Sequence, residues 1–191
     1  MKKNIITSVK IFLIMTLLVG IIYPLFISGI SLLIFSNQAE GSIIKADGKI
    51  IGSKLIGQKF ISDKYFWSRP SAIDYNPYPS GASNLAPTSA KLKELYKNRK
   101  EIFARSNFVK NLKIIPNEML FASGSGVDPH ISLQSTLLQV DRISNIRNFN
   151  KTQKEELIKL IATFIENPQL GFLGESRINV LMLNMELDKI K

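Results

Sequence analysis

An uncharged run of 25 residues, from Ile11 to Phe35, constrains this chain more than any other feature of its sequence. A helix of that length spans about 38 Å, whereas the hydrocarbon core of a bilayer is about 30 Å thick. A cleaved signal peptide has a shorter apolar core, about 7–15 residues, followed by small residues at the cleavage site. The residues from Asn37 to Ala39 make a poor site of that kind. The sequence therefore predicts a retained transmembrane helix.

The charges on either side of the run predict its orientation. Lys2, Lys3 and Lys10 precede it without an acidic residue, whereas the charged residues that follow it balance. The positive-inside rule then places the N-terminus in the cytoplasm. We expect residues 1–10 in the cytoplasm, residues 11–35 in the cell membrane as a single-pass helix, and residues 36–191 as an extracytoplasmic soluble domain. Pro24 is expected to bend the helix slightly, which suggests a partner within the membrane.

Residues 36–191 combine helix and strand patterns. Residues 62–88 are rich in proline and also in aromatic residues, so we expect an ordered loop that packs on the rest of the domain. Helices are expected at 91–107 with Thr88 or Ser89 as the cap, from Asp128 onward, and from a capping box at 152–155. Short strands are expected within 48–60, at 113–115 and at 178–183, before a closing helix at 185–191. The predicted fold class is α+β, a single N-terminal transmembrane helix followed by a small mixed α/β extracytoplasmic domain.

The stretch from Ala122 to Ser132, ASGSGVDPHIS, contains two glycines, three serines, an aspartate and the only histidine of the chain. A Walker phosphate loop requires a lysine after its last glycine, but Val127 occupies that position. What remains of a nucleotide interpretation is anion binding by the N-terminus of a following helix. The simpler interpretation is a structural joint, in which the glycines permit tight turns and Asp128 caps the helix. That helix is expected to present one apolar face, formed by Leu133, Leu137, Val140 and Ile143.

Composition limits the chemistry available to this stretch. The chain has no cysteine and one histidine, so thiolate sites are excluded, zinc lacks its usual ligands and no metal site is expected. A catalytic triad would have to use His130 as its base. The two-residue spacing from Asp128, across a proline, is unfavourable for the orienting hydrogen bond of such a triad. A membrane-anchored extracytoplasmic hydrolase using His130 stays open as the alternative function.

The basic charge of the chain is concentrated in one segment. The formal net charge is +10, and residues Lys91 to Lys113 contain eight basic and two acidic residues. Such a segment is either a solvated helix face or a surface that contacts lipid head groups or an acidic partner. The expected extracytoplasmic location argues against nucleic acid as the partner.

Five blocks of the sequence resemble, in order, the C subunit of the Kdp potassium-transporting ATPase, the KdpC family. They are residues 52–60, 65–76, 80–88, 122–147 and 178–188. The most specific block is ASGSGVDPHIS, which Gln139, Arg142 and Arg147 continue in register. Three residues depart from those usual in the family, namely Ala86, Phe121 and Leu133.

The resemblance implies an accessory subunit of a high-affinity, ATP-driven potassium uptake complex. Its partners would be a channel-like A subunit, a P-type ATPase B subunit, a small F peptide and membrane lipid. Its role would be to stabilise the assembly, to act as a catalytic chaperone that raises the ATP affinity of the ATP-hydrolysing subunit, or both. No cofactor is expected to bind this chain firmly, and ATP only within the complex. Residues in these blocks that are candidates for motif or subunit-contact roles are Arg69, Asn84, Gly124, Gly126, Asp128, His130, Gln139, Asn179 and Asn184.

Overall fold

The computed structural model describes residues 2–46 and 48–190. The chain forms two compact units, Met1–Ser53 and Lys54–Lys191. The first unit contains the long apolar run, and the second contains the hydrophobic core.

The first unit is dominated by a long helix. It consists of α1 (Lys2–Leu17), a π-helical turn (Leu18–Ile22) and α2 (Tyr23–Ile34). Together these residues are long and apolar enough to cross a membrane, and the rest of the chain buries none of them. The π turn precedes Pro24, which has no N–H to donate, and the N–H of Tyr23 bonds back to the carbonyl of Leu18. The irregularity near Pro24 is therefore a π turn within the apolar helix.

A short helix and a hairpin complete the first unit. Helix α3 (Ser36–Ala39) is followed by β1 (Ile43–Ala46) and β2 (Lys49–Ser53), which pair antiparallel. The register shifts between Ile44 and Lys45, as in a β-bulge. Strand β2 confirms the strand expected within 48–60, whereas β1 lies where no strand was predicted.

The second unit contains five helices and a small sheet among the residues that the structure describes. The helices are α4 (Ala90–Ser106), α5 (Leu133–Leu137), α6 (Val140–Ile146), α7 (Lys151–Thr163) and α8 (Val180–Leu187). The strands are β3 (His130–Ile131), β4 (Ile165–Glu166) and β5 (Arg177–Asn179), and 3₁₀ turns cover Leu112–Ile114 and Asn117–Met119. The antiparallel sheet has the order β3-β5-β4. These elements confirm the α+β class.

The core lies where helices α5, α7 and α8 pack with strand β5. Helix α8 turns most of its residues inward, so Val180, Leu183 and Leu187 are buried. The other buried apolar side chains are Phe66, Phe103, Ala104, Ile115, Met119, Leu120, Ile131, Val140, Ile143, Leu157, Ile161, Ile178 and Leu181.

Residues 54–89 contain neither helix nor strand, and yet this segment contributes aromatic side chains to the core. Phe66 is fully buried, and Tyr65 and Trp67 pack against the core cluster. The guanidinium of Arg142 lies over the ring of Trp67, 4.3 Å from its centroid. The expectation of an ordered, packed loop at 62–88 is confirmed.

Two predicted strands are wrong or too long. Residues 113–115 do not form a strand, because the side chain of Asn111 accepts from the N–H of Lys113 and starts a 3₁₀ turn. The strand predicted at 178–183 ends at Asn179, whose side chain accepts from the N–H of Met182 and caps α8. The apolar pattern there is the buried face of a helix, which places the closing helix five residues earlier than predicted; Lys191 lies outside the described residues.

One predicted helix cap is confirmed, and other predicted helix boundaries are shifted. Ser89 caps α4 as expected, by accepting from the N–H of Leu92. The capping box of α7 lies two residues before the predicted one and joins Asn150 to Gln153 reciprocally. The single helix expected after Asp128 is two helices, α5 and α6, so its predicted apolar face is broken and Leu137 is exposed.

Candidate functional site

The stretch Ala122–Ser132 leads into strand β3 and not into a helix. Helix α5 begins later, and its N-cap is Ser132, whose hydroxyl accepts from the N–H of Ser135 at 3.1 Å. The prediction that Asp128 caps a helix is therefore wrong. Its Oδ1 instead accepts from the N–H of His130 at 3.0 Å, which closes an Asx turn. Helix α5 begins only at Leu133, so Gly124, Gly126 and Asp128 do not lie at a helix N-terminus, and anion binding of that kind loses its basis for these residues.

Backbone hydrogen bonds tie this stretch to the irregular segment 54–89. The N–H of Gly57 donates to Val127 at 2.7 Å, and the N–H of Gly81 donates to Ser125 at 3.0 Å. A Cβ on Gly57 would lie 2.6 Å from the carbonyl oxygen of Asp128, so only glycine permits this approach. The stretch therefore joins two parts of the irregular segment, near Gly57 and near Gly81, to the sheet.

The two glycines of the stretch have different roles. Gly126 has φ +74°, and a Cβ there would lie 2.4 Å from the side chain of Ile73 and 2.8 Å from the carbonyl oxygen of Gly81. A Cβ on Gly124 would meet no atom within 4 Å, and the φ of Gly124 is not in the left-handed region. Of these two positions, only Gly126 therefore needs to be a glycine for the backbone to adopt its conformation.

Arg69, Asp128 and His130 meet beside β3. A guanidinium nitrogen of Arg69 lies 2.7 Å from Oδ2 of Asp128, and both side chains are about a quarter exposed. Nδ1 of His130 lies 3.6 Å from the other oxygen of the same carboxylate. Burial acts to raise the pKa of Asp128, but the interactions with His130 and Arg69 outweigh it and hold that pKa below its usual value. Asp128 is thus a charged link between the irregular segment and the sheet.

Glu166 on β4 contacts this cluster on the other side of His130. Its carboxylate lies 3.0 Å from Nζ of Lys54 and 3.2 Å from Nε of Arg177. It also lies 3.7 Å from Nε2 of His130, which is buried without a hydrogen-bond partner among the described residues. Burial acts to raise the pKa of Glu166, but the interactions with Lys54, His130 and Arg177 outweigh it and lower that pKa. His130 therefore lies between two carboxylates, Asp128 and Glu166.

An open polar cavity of about 310 Å³ adjoins the cluster, with both charge signs in its lining. Within residues 2–46 and 48–190, no serine or threonine hydroxyl hydrogen-bonds to His130. The same residues include no group of three or more His, Cys, Asp and Glu side chains suited to a metal ion. The geometry supplies ion pairing and backbone positioning, and it does not assemble a nucleophile with a base.

Gln139 and Arg142 form a buried clamp on the irregular segment. Oε1 of Gln139 accepts from the N–H of Trp67 at 2.7 Å and from Arg142 at 2.8 Å. Arg142 also donates to the carbonyl oxygens of Asp63 and Tyr65. Burial lowers the pKa of Arg142 to about 10, so it remains charged at neutral pH. A charge this deep in a domain is tolerated because its donors are satisfied by carbonyl and amide oxygens.

Asn184 holds the adjacent residue of the same segment. Its Oδ1 accepts from the N–H of Phe66 at 2.8 Å, and its amide nitrogen donates to the carbonyl of Phe66 at 3.0 Å. Asn179 acts similarly at the start of the unit, since it donates to the carbonyl of Lys54 at 2.8 Å while capping α8. These amides take the place of the neighbouring strand that an extended backbone would otherwise need.

The predicted site residues thus fall into two groups, with two exceptions. Arg69, Asp128 and His130 form the ion-pair cluster, and Gly126 shapes the joint next to it. The clamp residues are Gln139, Asn179 and Asn184. Asn84 has φ +50° and is exposed, and Gly124 is also exposed, so neither belongs to the two groups. Sequence reasoning missed Gly57 and Glu166 as site residues, because their partners lie far away in the chain.

The fold and these contacts define a class of protein, a small α+β domain that follows a single candidate membrane helix and has its motif residues engaged in internal positioning. The family model described as K+-transporting ATPase, c chain (KdpC) matches residues 5–189. The chain belongs to this family, and it is a component of a potassium-transport complex.

Relatives match along nearly their whole length. The chain is 44% identical over 190 residues to the potassium-transporting ATPase KdpC subunit of Koribacter versatilis, covering 98% of this chain and 95% of the relative. It is 42% identical over 186 residues to the subunit of the same name in Leptospira interrogans, covering 97% and 94%. The corresponding subunit of Mycobacterium bovis is 37% identical over 192 residues and covered completely.

Proposed function

We propose that this chain is an accessory subunit that stabilises the assembly of a high-affinity, ATP-driven potassium uptake complex. The observation that supports this proposal is that residues from the family's sequence blocks make hydrogen bonds and ion pairs within the chain itself. Gln139, Arg142 and Asn184 hold the irregular segment, while Arg69 and Asp128 link it to the sheet. Such residues specify the shape of a domain and not a reaction. The partners in this proposal are a channel-like A subunit, a P-type ATPase B subunit and a small F peptide.

The contact surface in this proposal is the loop between β4 and β5. Leu170 is 83% exposed and Phe172 is 74% exposed, between neighbours that carry no charge from Asn167 to Gly174. Leu170 has φ +55° and Gly171 has φ +83°, so the loop turns tightly at this point. Strand β5 at its base pairs with β3, which the joint at Ala122–Ser132 positions. Large apolar side chains presented in this way fit an apolar pocket on a partner protein.

Co-purification of the complex from membranes tests this surface. The double substitution Leu170→Ser with Phe172→Ser is expected to reduce recovery of the partner subunits, because the apolar contact is removed. Ile61→Ser is the matched control, since Ile61 is 77% exposed and lies elsewhere in the same unit. Full recovery with the double variant, or equal losses with the control, would contradict this assignment of the contact surface.

The topology in this proposal places residues 36–191 outside the cytoplasm. Lys2, Lys3 and Lys10 precede the apolar helix, and the positive-inside rule assigns that side to the cytoplasm. ATP would then lie on the opposite side of the membrane from the domain. An effect of this chain on ATP affinity would have to act through the membrane helix, as a coupling between conformational states that is reciprocal in binding free energy.

One experiment distinguishes the two proposed roles, which are assembly and catalytic chaperone. Variants of the clamp and joint would be assayed for assembly yield and for the ATP affinity of the purified complex. A pure assembly role predicts a lower yield with unchanged affinity in the complexes that do form. A variant that assembled fully and bound ATP more weakly would support the chaperone role instead. His130→Ala addresses the hydrolase alternative, since any hydrolysis by the isolated chain that this substitution abolished would revive it.

A further inference from the structure

The end of α4 and the turns that follow it display apolar and basic side chains together. We call residues 105–114 the basic–apolar segment. No acidic residue lies between Glu101 and Glu118. The exposed apolar side chains of the segment are Phe108 at 61%, Leu112 at 43% and Ile114 at 41%. Its basic side chains, all exposed, are Arg105, Lys110 and Lys113.

The backbone fixes this display in place. Asn107 is buried, donates to the carbonyl of Phe103 at 2.9 Å and accepts from Nε of Arg142 at 2.9 Å. The next residue, Phe108, has φ +56°, a left-handed conformation that a bulky residue rarely adopts. Asn107 thus points into the core while Phe108 is held in solvent. An apolar ring kept exposed at a conformational cost indicates that something covers it.

The basic side chains have no acidic partner of their own. Within the described ranges 2–46 and 48–190, no carboxylate lies within ion-pair distance of Arg105, Lys110 or Lys113. By contrast, the more N-terminal Lys97 faces Glu101 at 4.0 Å on the same helix. The segment therefore offers three free cations beside three exposed apolar side chains.

We propose that the basic–apolar segment docks on an anionic lipid surface. Its lysine and arginine side chains contact the lipid phosphates, and its apolar side chains lie at the boundary with the acyl chains. Aromatic and aliphatic side chains interleaved with Lys and Arg are the chemistry of a membrane interface. The loop that carries Leu170 and Phe172 differs in this respect, because it has no lysine or arginine from Ile165 to Ser176 and offers no cation to a lipid phosphate. That loop suits a protein, whereas the basic–apolar segment suits a bilayer.

A short covalent connection limits how far the second unit can lie from a bilayer that the apolar helix crosses. Only 19 residues separate Ile34, the end of the apolar helix, from Lys54, the first residue of the second unit. Fully extended, such a connection spans at most about 70 Å. A tether of this length raises the effective concentration of the surrounding lipid, so a weak affinity suffices for docking. The inference holds on either side of the membrane and does not depend on the proposed partner subunits.

The test uses the full-length chain in lipid nanodiscs. Because the chain has no cysteine, Leu112→Cys accepts a single environment-sensitive fluorophore. One set of discs contains phosphatidylcholine alone, and in the other phosphatidylglycerol replaces a third of it. We expect a blue shift of the label emission in the anionic discs only, and its reversal as salt is raised. A label at Glu155→Cys, on α7, is expected to emit alike in both discs.

Two matched triple variants separate a specific surface from general charge. Each basic residue near an anionic surface contributes about 1 kcal/mol, so Arg105→Gln, Lys110→Gln and Lys113→Gln together should lower the docking equilibrium on the order of 100-fold. The control triple removes the same charge from the start of α4, through Lys91→Gln, Lys93→Gln and Lys97→Gln, and should retain most of the shift. Phe108→Ser in the otherwise native segment should weaken the shift independently of charge.

Five outcomes would overturn the proposal. The first four are an equal shift in zwitterionic discs, no shift in either disc, equal losses from both triple variants, and a shift that appears only when other subunits of the complex are present. The fourth would assign the segment to an acidic protein partner. A shift that depended on chain concentration at fixed lipid composition would assign it to a second copy of this chain, and it would equally refute the lipid surface.

Discussion

Replacing Asn184 by alanine should destabilise the second unit more than its small size suggests. The amide of Asn184 hydrogen-bonds to both backbone polar groups of Phe66, which is fully buried. Alanine leaves the N–H and the carbonyl of Phe66 without these partners. An unsatisfied buried polar group costs about 1–3 kcal/mol, so the two together predict a loss of about 2–6 kcal/mol. At about 2–4 °C per kcal/mol for a unit of this size, the melting temperature should fall by roughly 5–20 °C.

The single tryptophan provides the assay. Trp67 directly follows Phe66, so the thermal change in its emission reports the release of this segment in the full-length chain. Asn98→Ala is the matched control, because Asn98 is an exposed helix asparagine whose side chain makes no hydrogen bond within the described residues. Its melting temperature should stay the same or rise slightly, since alanine favours the helix. If Asn184→Ala and Asn98→Ala melted within about 2 °C of each other, far less than the shift expected from the lost hydrogen bonds, the clamp would make no net contribution.

Three further predictions concern the joint and the topology. Gly126→Val should unfold or strongly destabilise the second unit, because of its φ of +74° and the contact with Ile73, whereas Gly124→Val should be tolerated; thermal melts of the pair decide this. The pKa of Asp128 is lower in the folded state, so its contribution to stability is present above its usual pKa near 4 and is lost as pH falls through the folded value. Asp128→Asn should therefore lose less stability than the native chain on acidification below about pH 4, as acid titrations of unfolding would show; identical curves would exclude a role for this carboxyl. An impermeant protease should cut residues 54–190 in spheroplasts before lysis, and cleavage only after lysis would reverse the proposed topology.

The sequence revealed features whose partners are local. The apolar run, the cap of α4 at Ser89 and the aromatic loop at 62–88 follow from spacing and composition within a few residues. The boundaries failed where a side chain competed with the simple pattern, as Asn179 does when it turns an apparent strand into α8. The same holds at ASGSGVDPHIS, where the Asx turn of Asp128 leads the chain into a strand.

The candidate site could be named in part but not assembled from the sequence. Gln139, Asn179 and Asn184 were identified by resemblance, but their shared role became visible only when their partners appeared in residues 54–67. Glu166 gave no signal, because one carboxylate on a short strand is ordinary until Lys54, His130 and Arg177 are found around it. The contacts of Glu166 with Arg177 and of Asn179 with Lys54 join residues 11 and 125 positions apart, beyond the reach of a helix or strand periodicity.

The late position of the clamp residues has a consequence for how the chain folds during synthesis. The segment around Phe66 leaves the ribosome long before Gln139, 72 residues beyond Trp67, and Asn184, 118 residues beyond Phe66. Until α8 has been made, the backbone N–H and carbonyl of Phe66 lack the amide of Asn184 that binds them in the folded unit. Contacts of such long sequence separation are slow to form because the chain entropy between them must be lost first. The second unit therefore cannot fold progressively from its N-terminus, and its folding is completed only after the closing helix α8 has been synthesised.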